Sequence, residues 1–210
     1  MRVIRANIYV DGFNLYYRAL RDTPDRWLDL GRLAQLLLPG HQINRIRYFT
    51  ARVSSRPGDP TQAQRQQAYL RALKTVPDLT IHYGHLLAKR KRRPLATPPP
   101  TGSAIVEILD TEEKGSDVNL ASYLLLDGFE QDYELAVVIS NDSDLQLPIT
   151  FARDRLLRTV GVFDPSRRRS FQLSQAASWY RRLRRGPLSA SHFADTLSDE
   201  QGVIVKPSSW

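Results

Sequence analysis

The chain has 210 residues, of which 41% are apolar and 25% charged, a composition typical of a soluble α/β domain. No apolar run approaches the roughly 18 residues that a transmembrane helix needs, which rules against a membrane-spanning protein. The absence of cysteine excludes disulfides, thiol nucleophiles and cysteine-bound metals. The N-terminal apolar stretch is too short and too polar for a signal peptide, so we expect a cytoplasmic protein.

Positive charge is in excess, and it is unevenly distributed. Thirty Lys and Arg residues stand against 22 Asp and Glu residues, for a net charge of +8. Eleven of the 22 acidic residues lie between Glu107 and Asp144, whereas basic residues cluster at 90–93, 167–169 and 181–185. An acidic centre in a basic protein is expected of a metal-dependent enzyme that acts on nucleic acid. A genome rich in G and C would give the same arginine excess without functional meaning.

Short apolar runs alternate along the chain with segments of helical composition. The β-branched runs at 3–10 and 135–140 are each followed by an acidic turn, which is typical of buried parallel strands. Further strands are predicted at 43–53, 79–87 and 158–163, and helices at 28–38, at 61–74, from Ser116 and near Asp144. This alternation predicts an α/β fold with a doubly wound, mostly parallel sheet.

Two segments are expected to lie outside this core. Residues 88–103 join a basic run to a proline-rich stretch, which predicts a flexible loop between strands. Residues 186–210 end in VIVKPSSW, whose apolar side chains are expected to fold back onto the rest of the protein. We therefore expect one domain over 1–185 with a C-terminal tail packed on it.

Four aspartates fall where predicted strands end or helices begin. Asp11 ends the first strand, Asp142 and Asp144 follow another central strand, and Asp117 opens a helix. The carboxyl ends of parallel strands and the adjoining helix N-termini line one crevice, so we expect these carboxylates to face one site. Each aspartate alone is better explained by a helix cap, a first-turn position or a turn. Their coincidence at these positions favours a shared site.

Carboxylates gathered in one crevice repel one another unless a cation lies between them. With no cysteine and only four histidines, Mg²⁺ or Mn²⁺ is the expected ion. A divalent ion in such a site activates water and stabilises charge on a phosphodiester, which is the chemistry of a nuclease. Asn14 and Ser140 are placed to hydrogen-bond the reacting groups, and Lys114 is placed to bind a phosphate.

Three segments resemble, in order and spacing, the motifs of the NYN domain: IYVDGFNLYY at 8–17, EKGSDVNLASYLLLD at 113–127 and VVISNDSDLQLPI at 137–149. This domain is a branch of the PIN-like superfamily of metal-dependent ribonucleases, and the VIVKPSSW ending is similar to tails of its LabA-like bacterial subgroup. The resemblance implies a PIN-like, Rossmann-like three-layer α/β/α fold. It also implies the following metal-binding set: Asp11, Asp117, Asp142 and Asp144.

The resemblance differs from the family pattern at one point. PIN-type sites usually carry a further acidic residue on an early helix, and no residue here aligns with it. Glu112 or Glu113 is the candidate substitute. The sequence therefore leaves open whether one or two metal ions are bound.

The basic clusters are candidates for contacts with a nucleic-acid backbone. The residues expected to contact phosphates are Arg90, Arg92, Arg167 and Arg168. Phe171, Trp179 and Tyr180 could stack on bases, although core packing is the favoured interpretation of Trp179 and Tyr180.

The histidines indicate no metal site. His82 and His85 lie three apart in one predicted strand, which places them on opposite faces and argues against a shared ion.

These observations predict a metal-dependent endoribonuclease that acts on single-stranded RNA. The alternative is a protein of the same fold that binds RNA without cutting it. A small-molecule hydrolase or oxidoreductase is disfavoured, because no nucleotide-binding fingerprint, nucleophile elbow or cysteine is present. RNA is thus the expected partner, a homodimer is left open, and no membrane partner is expected.

Overall fold

The structure is a computed structural model that describes residues 3–56 and 58–210. Within these residues there are ten strands: β1 Arg5–Asp11, β2 Gln42–Thr50, β3 Leu79–Tyr83, β4 His85–Pro94, β5 Ile105–Lys114, β6 Leu135–Ile139, β7 Thr159–Asp164, β8 Trp179–Arg182, β9 Thr196–Asp199 and β10 Gly202–Val205. The α-helices are α1 Gly12–Leu15, α2 Leu30–Leu37, α3 Gln62–Lys74, α4 Ser116–Phe129, α5 Gln146–Asp154, α6 Phe171–Ala176 and α7 Arg185–Ser189.

Six strands form the central sheet in the order β3-β2-β1-β6-β7-β8, and every neighbouring pair is parallel. The chain leaves β1 toward β2 and β3, and later returns to the other side of β1 with β6, β7 and β8. Such a reversal between β1 and β6 is where ligands bind in doubly wound sheets. The predicted α/β class with a mostly parallel sheet is confirmed.

The sheet is buried on both faces, which explains why its central strands are almost continuously apolar. On one face, Ile8 and Val10 of β1 pack with helices α2, α3 and α7. On the other face, Tyr9 of β1 and Val138 of β6 pack with helices α4, α5 and α6. The three-layer α/β/α arrangement therefore follows directly from the alternation of side chains along each strand.

The segment after β3 differs from the sequence-based expectation. Residues 85–94 and 105–114 form a two-stranded antiparallel hairpin, β4-β5, with Lys91 opposite Ile108. The expectation of a loop over 88–103 is therefore wrong for residues 88–94. Lys91 forms ion pairs with Asp110 and Glu112 of the neighbouring strand, so the strand at 105–114 supplies the partners that the basic run needs.

The single strand expected at 79–87 is divided at Gly84 into β3 and β4. A side chain at Gly84 would not fit, because a Cβ there would lie 2.6 Å from the backbone carbonyl oxygen of Lys114. The chain turns away from the central sheet at this point. His82 and His85 consequently belong to different strands.

The C-terminal segment contains a second hairpin, β9-β10. Ile204 of β10 is buried in the same core cluster as α3, and Arg71 of α3 forms an ion pair with Asp199 at 2.6 Å. The ring of Trp210 packs against Trp27 with centroids 6.2 Å apart. Ile204 and Trp210 thus lie against the main body, whereas Val203 and Val205 are exposed.

Across residues 3–56 and 58–210, none of the helices combines the length and the hydropathy needed to cross a bilayer.

Candidate functional site

The site begins at the carboxyl end of β1, where Asp11 is almost fully buried. Its Oδ1 accepts a hydrogen bond from the backbone N–H of Asn14 at 2.9 Å, which caps the short helix α1. Its Oδ2 accepts a hydrogen bond from Oγ of Ser140 at 2.8 Å. Both oxygens are therefore held in place, and the carboxylate has one defined orientation at the β1-β6 junction.

The loop after β6 is ordered by the same group of side chains. Ser140 Oγ accepts the backbone N–H of Asp142 at 3.0 Å, and Asp142 Oδ1 accepts the backbone N–H of Asp144 at 3.0 Å. Asn14 Oδ1 accepts the backbone N–H of Asn141 at 3.0 Å. The expected cap roles of Asp11 and Asp142 are thus present, and they fix the two strand ends relative to each other.

Helix α4 supplies Asp117 in its first turn, where the side chain is half-buried. The helix starts after Gly115, which adopts a left-handed conformation with φ 95°. Oε1 of Glu113, at the end of β5, accepts the N–H of Ser116 at 3.0 Å. Of the two glutamates considered from the sequence, Glu113 is therefore the one that lies at this helix start.

The pKa of Asp117 indicates which carboxylates lie close enough to repel it. The pKa of Asp117 is raised to about 7, first by burial and then by the negative charges of Asp11, Asp142, Glu113 and Asp144. These five acidic side chains come from β1, β5, α4 and the loop after β6. The structure therefore brings the four sequence-predicted aspartates into one electrostatic cluster and adds Glu113 to it.

Burial also raises the pKa of Asp11, to about 6, although the hydrogen bonds from Asn14 and Ser140 favour its charged form. Asp142 and Glu113 add to the rise through their charge. The cluster therefore disfavours full ionisation at neutral pH, because burial and mutual repulsion both penalise its negative charges.

The donor set fits Mg²⁺ or Mn²⁺, because it consists of carboxylate oxygens with amide and hydroxyl oxygens nearby. A divalent cation among these groups would favour their charged forms and offset the burial and the repulsion that raise both pKa values. Within the described residues, no three His, Asp or Glu side chains are already arranged as a metal-binding group.

The residues predicted to contact phosphates lie on two exposed segments. Arg90 and Arg92 are exposed on β4, where Arg90 forms an ion pair with Glu107 at 3.2 Å. Lys114 ends β5 and lies 3.9 Å from Glu112. The second segment is the loop after β7, which carries the exposed side chains of Arg167 and Arg168.

Sequence reasoning missed Asp164, which ends β7 and is buried. Its Oδ2 accepts a hydrogen bond from Nδ2 of Asn141 at 2.9 Å, and its Oδ1 accepts the N–H of Ser166 at 2.7 Å. Asn141 Nδ2 also donates to the carbonyl of Arg168 at 3.2 Å. Asp164 therefore connects the acidic loop to the arginine loop. Its position at a strand end, like that of Asp11, was the available signal.

Several other candidate residues have structural roles. Tyr180 is partly buried, and its hydroxyl donates to Asp164. Trp179 packs against Phe163 with ring centroids 5.3 Å apart. His82 packs between aromatic rings, and its pKa is lowered by burial and by the charge of Arg47. The favoured core interpretation of Trp179 and Tyr180 agrees with these contacts.

The fold and the motifs define a nuclease-like class of protein. Residues 5–181 match the NYN domain family, so the chain belongs to that family, whose fold is that of the PIN-like nucleases. The predicted NYN relationship is confirmed, whereas this match does not separate the LabA-like subgroup from other members.

Two particular relatives accompany this assignment. The chain is 29% identical to 6-hydroxy-3-succinoylpyridine 3-monooxygenase HspA of Pseudomonas putida, with 99% of this chain and 75% of that protein covered. It also resembles the crystal structure of a protein of unknown function from Vibrio parahaemolyticus, with a TM-score of 0.58 and 17% identity. That alignment covers 92% of this chain and 100% of the other, and it supports the fold alone.

Proposed function

We propose that the protein is a divalent-metal-dependent endoribonuclease that hydrolyses phosphodiester bonds in single-stranded RNA. The observation that carries the proposal is the pKa of Asp117, raised to about 7 in part by four neighbouring carboxylates. A protein that only bound RNA would gain nothing from negative charges that repel phosphate at this position. Strongly perturbed carboxylates in a crevice are instead typical of catalytic sites.

In this proposal, Asp11, Asp117, Asp142 and Asp144 hold Mg²⁺ or Mn²⁺. A bound divalent ion would supply an activated water and stabilise the negative charge that develops on the phosphate. Ser140 keeps the Asp11 carboxylate in its orientation through their hydrogen bond. Asn14 uses its Oδ1 to hold the loop after β6, and its Nδ2 is the group proposed to bind the substrate.

The basic residues bind the backbone on either side of the cluster. Lys114 lies next to the α4 start, so it is proposed to contact the phosphate nearest the carboxylates. Arg90 and Arg92 of the hairpin, and Arg167 and Arg168 of the β7 loop, are proposed to bind more distant phosphates. A single strand, which bends readily, can contact both segments.

Two other functions compete with this one. The first is RNA binding without cleavage, which uses the same basic residues. The second is hydroxylation of a small heteroaromatic acid, favoured by the name of the Pseudomonas putida relative. RNA binding alone gives no product, whereas hydroxylation consumes O₂. Assays of RNA cleavage, RNA binding and O₂ uptake therefore separate the three functions.

The test is cleavage of labelled single-stranded RNA by purified wild type and Asp117→Asn in Mn²⁺, Mg²⁺ or EDTA. We expect metal-dependent internal cleavage by wild type alone, and RNA binding by both proteins. Binding without cleavage by wild type would support the binder. Uptake of O₂ and hydroxylation of 6-hydroxy-3-succinoylpyridine in the presence of an added reductant, without RNA cleavage, would support the oxygenase.

A further inference from the structure

A pocket lined with aromatic rings opens directly beside the acidic cluster. It starts at Gly12, the residue after Asp11, and includes Phe13, Tyr16 and Tyr17 on the segment that follows β1. Its interior offers about 70 Å³ to water-sized molecules, and it opens to solvent at its mouth.

Of the rings at the mouth of the pocket, that of Tyr17 is exposed, and the guanidinium of Arg21 lies 5.6 Å from its centroid. Tyr17 is 50% exposed, and its ring stacks on that of Phe13 with an interplanar angle of 15° and centroids 6.2 Å apart. Tyr48 and Tyr69 lie deeper and are buried. A Cβ at Gly12 would lie 2.6 Å from the Tyr48 ring, so only glycine permits this close approach. The pocket thus combines an exposed aromatic ring with a fixed inner wall.

Polar and charged groups also border the pocket. Arg26 and Arg65 line it, with Arg65 ion-paired to Asp59, and none of its lining residues among those described is acidic. Gln62 and Thr50 contribute amide and hydroxyl groups, which can both donate and accept hydrogen bonds. The buried Nε1 of Trp210, another lining residue, has no hydrogen-bond partner within the described chain. An unused donor therefore borders the pocket.

We propose that this pocket binds the base of an unpaired nucleotide that flanks the scissile phosphate, and so sets a nucleotide preference for cleavage. The proposal rests on the ribonuclease function proposed above. Gly12 of the pocket directly follows Asp11 of the cluster, so a phosphate at the carboxylates and a base in the pocket can belong to neighbouring nucleotides. Aromatic faces stack on unpaired bases, and polar groups contact their edges.

The first experiment measures binding without any cleavage. The four probes are 5′-AMP, 5′-GMP, 5′-CMP and 5′-UMP, with ribose 5-phosphate as the ligand that lacks a base, all titrated in EDTA. We expect at least one nucleotide to bind about 10-fold more tightly than ribose 5-phosphate. Tyr17→Ala should weaken the binding of that nucleotide by about 5- to 100-fold, the range expected for the loss of one stacking ring.

Two matched variants distinguish stacking from general damage. Tyr17→Phe keeps the ring and should retain the nucleotide preference. Phe129→Ala removes an exposed aromatic ring on α4, outside the pocket, and should leave nucleotide affinity unchanged. Nucleotides that bind no better than ribose 5-phosphate, or a Tyr17→Ala affinity equal to that of wild type, would overturn the proposal.

The second experiment links the pocket to cleavage. The substrates are RNAs that differ only in the nucleotide beside the cleavage site. Wild type should cleave one of them with the highest kcat/KM. Tyr17→Ala should still cleave, but the ratio of kcat/KM between the preferred and the other RNAs should fall at least 10-fold. If nucleotides bound in a Tyr17-dependent way but no RNA were cleaved, the pocket would remain a base-binding site and the proposed ribonuclease function would be wrong. Nicotinate is titrated beside the nucleotides as a small heteroaromatic acid. If nicotinate bound in a Tyr17-dependent way and no nucleotide did, the pocket would be assigned to such an acid and the base site would be overturned.

Discussion

Ser140 donates the hydrogen of its hydroxyl to Oδ2 of Asp11 at 2.8 Å, and this bond joins the ends of the two central strands β6 and β1. The same Oγ accepts the N–H of Asp142 at 3.0 Å. One buried hydroxyl therefore orients one proposed metal-binding aspartate and the backbone that carries a second. Partners of this kind commonly determine how well a carboxylate binds metal.

Ser140→Ala should lower the Mn²⁺ affinity, the rate of RNA cleavage, or both, by about 10- to 100-fold. The reason is that Asp11 loses the hydrogen bond that favours its charged form. Metal affinity is measured by titration calorimetry and cleavage by initial rate at saturating Mn²⁺. Ser122→Ala, an exposed serine of α4, is the matched control and should behave as wild type. Equal metal affinity and activity in Ser140→Ala would show that this bond is only structural.

Asp142 has two roles that different substitutions separate. Its Oδ1 caps the turn Ser143–Leu145, and its charge contributes to the carboxylate cluster. Asn is as good a cap as Asp, whereas Ala loses about 1 kcal/mol. Both variants remove the same charge and should lose cleavage, so the cap is read from the difference between them: Asp142→Ala should melt about 2–4 °C below Asp142→Asn. Thermal melts in EDTA give the comparison, and a similar Tm in both variants would contradict the capping role.

Burial of the carboxylates and repulsion between them predict how stability changes with pH. The folded-state pKa values of Asp11 and Asp117 are raised to about 6 and about 7, above the ordinary aspartate value of 3.8. Without metal, the folded chain binds more protons than the unfolded chain between these limits, so stability falls as pH rises through about 4 to 7. Asp117→Asn removes one charge and should raise the Tm at about pH 8, with no difference near pH 4.

That prediction is checked by thermal melts of wild type and Asp117→Asn in EDTA across this pH range. Glu130→Gln, an exposed acidic residue near the end of α4, is the control for general loss of charge. Added Mn²⁺ should raise the Tm of wild type more than that of Asp117→Asn. If Asp117→Asn and wild type had the same Tm at every pH, the carboxylates would not repel one another in solution.

The sequence could predict the elements that carry their own local signal. The apolar run before Asp11 and the polar turn after it place that residue at a strand end without knowledge of any partner. The hairpin β4-β5 differs, because Lys91 is stabilised as a strand residue by Asp110 and Glu112, which lie far along the chain. Its basic, proline-flanked sequence therefore indicated a loop.

Asp164 was missed for a related reason. Its importance lies in hydrogen bonds with Asn141 and Ser166, which only the assembled sheet brings together. Similarly, the choice between Glu112 and Glu113 depends on strand register, because neighbouring strand residues point to opposite faces. Glu112 accordingly pairs with Lys91, while Glu113 reaches the start of α4.

The arginine loop after β7 should bind RNA phosphate, because it follows a sheet strand at the same edge as the acidic cluster and is linked to it through Asn141. The double variant Arg167→Ala/Arg168→Ala should weaken binding of single-stranded RNA for all sequences. It should also reduce the slope of log affinity against log salt concentration by about 0.7 for each phosphate that the protein no longer neutralises. Fluorescence anisotropy at several KCl concentrations, with Asp117→Asn as the background to prevent cleavage, measures that slope.

Arg32→Ala provides the matched control, since Arg32 is exposed on α2, a helix of the opposite layer from α4. Its salt slope should equal that of the unaltered background, because the net charge falls while every phosphate stays bound. The fold should survive in the double variant, as the side chains of Arg167 and Arg168 are exposed. An unchanged salt slope in the double variant would show that these arginines serve solubility, and the hairpin residues Arg90 and Arg92 would then be the remaining candidates for phosphate binding.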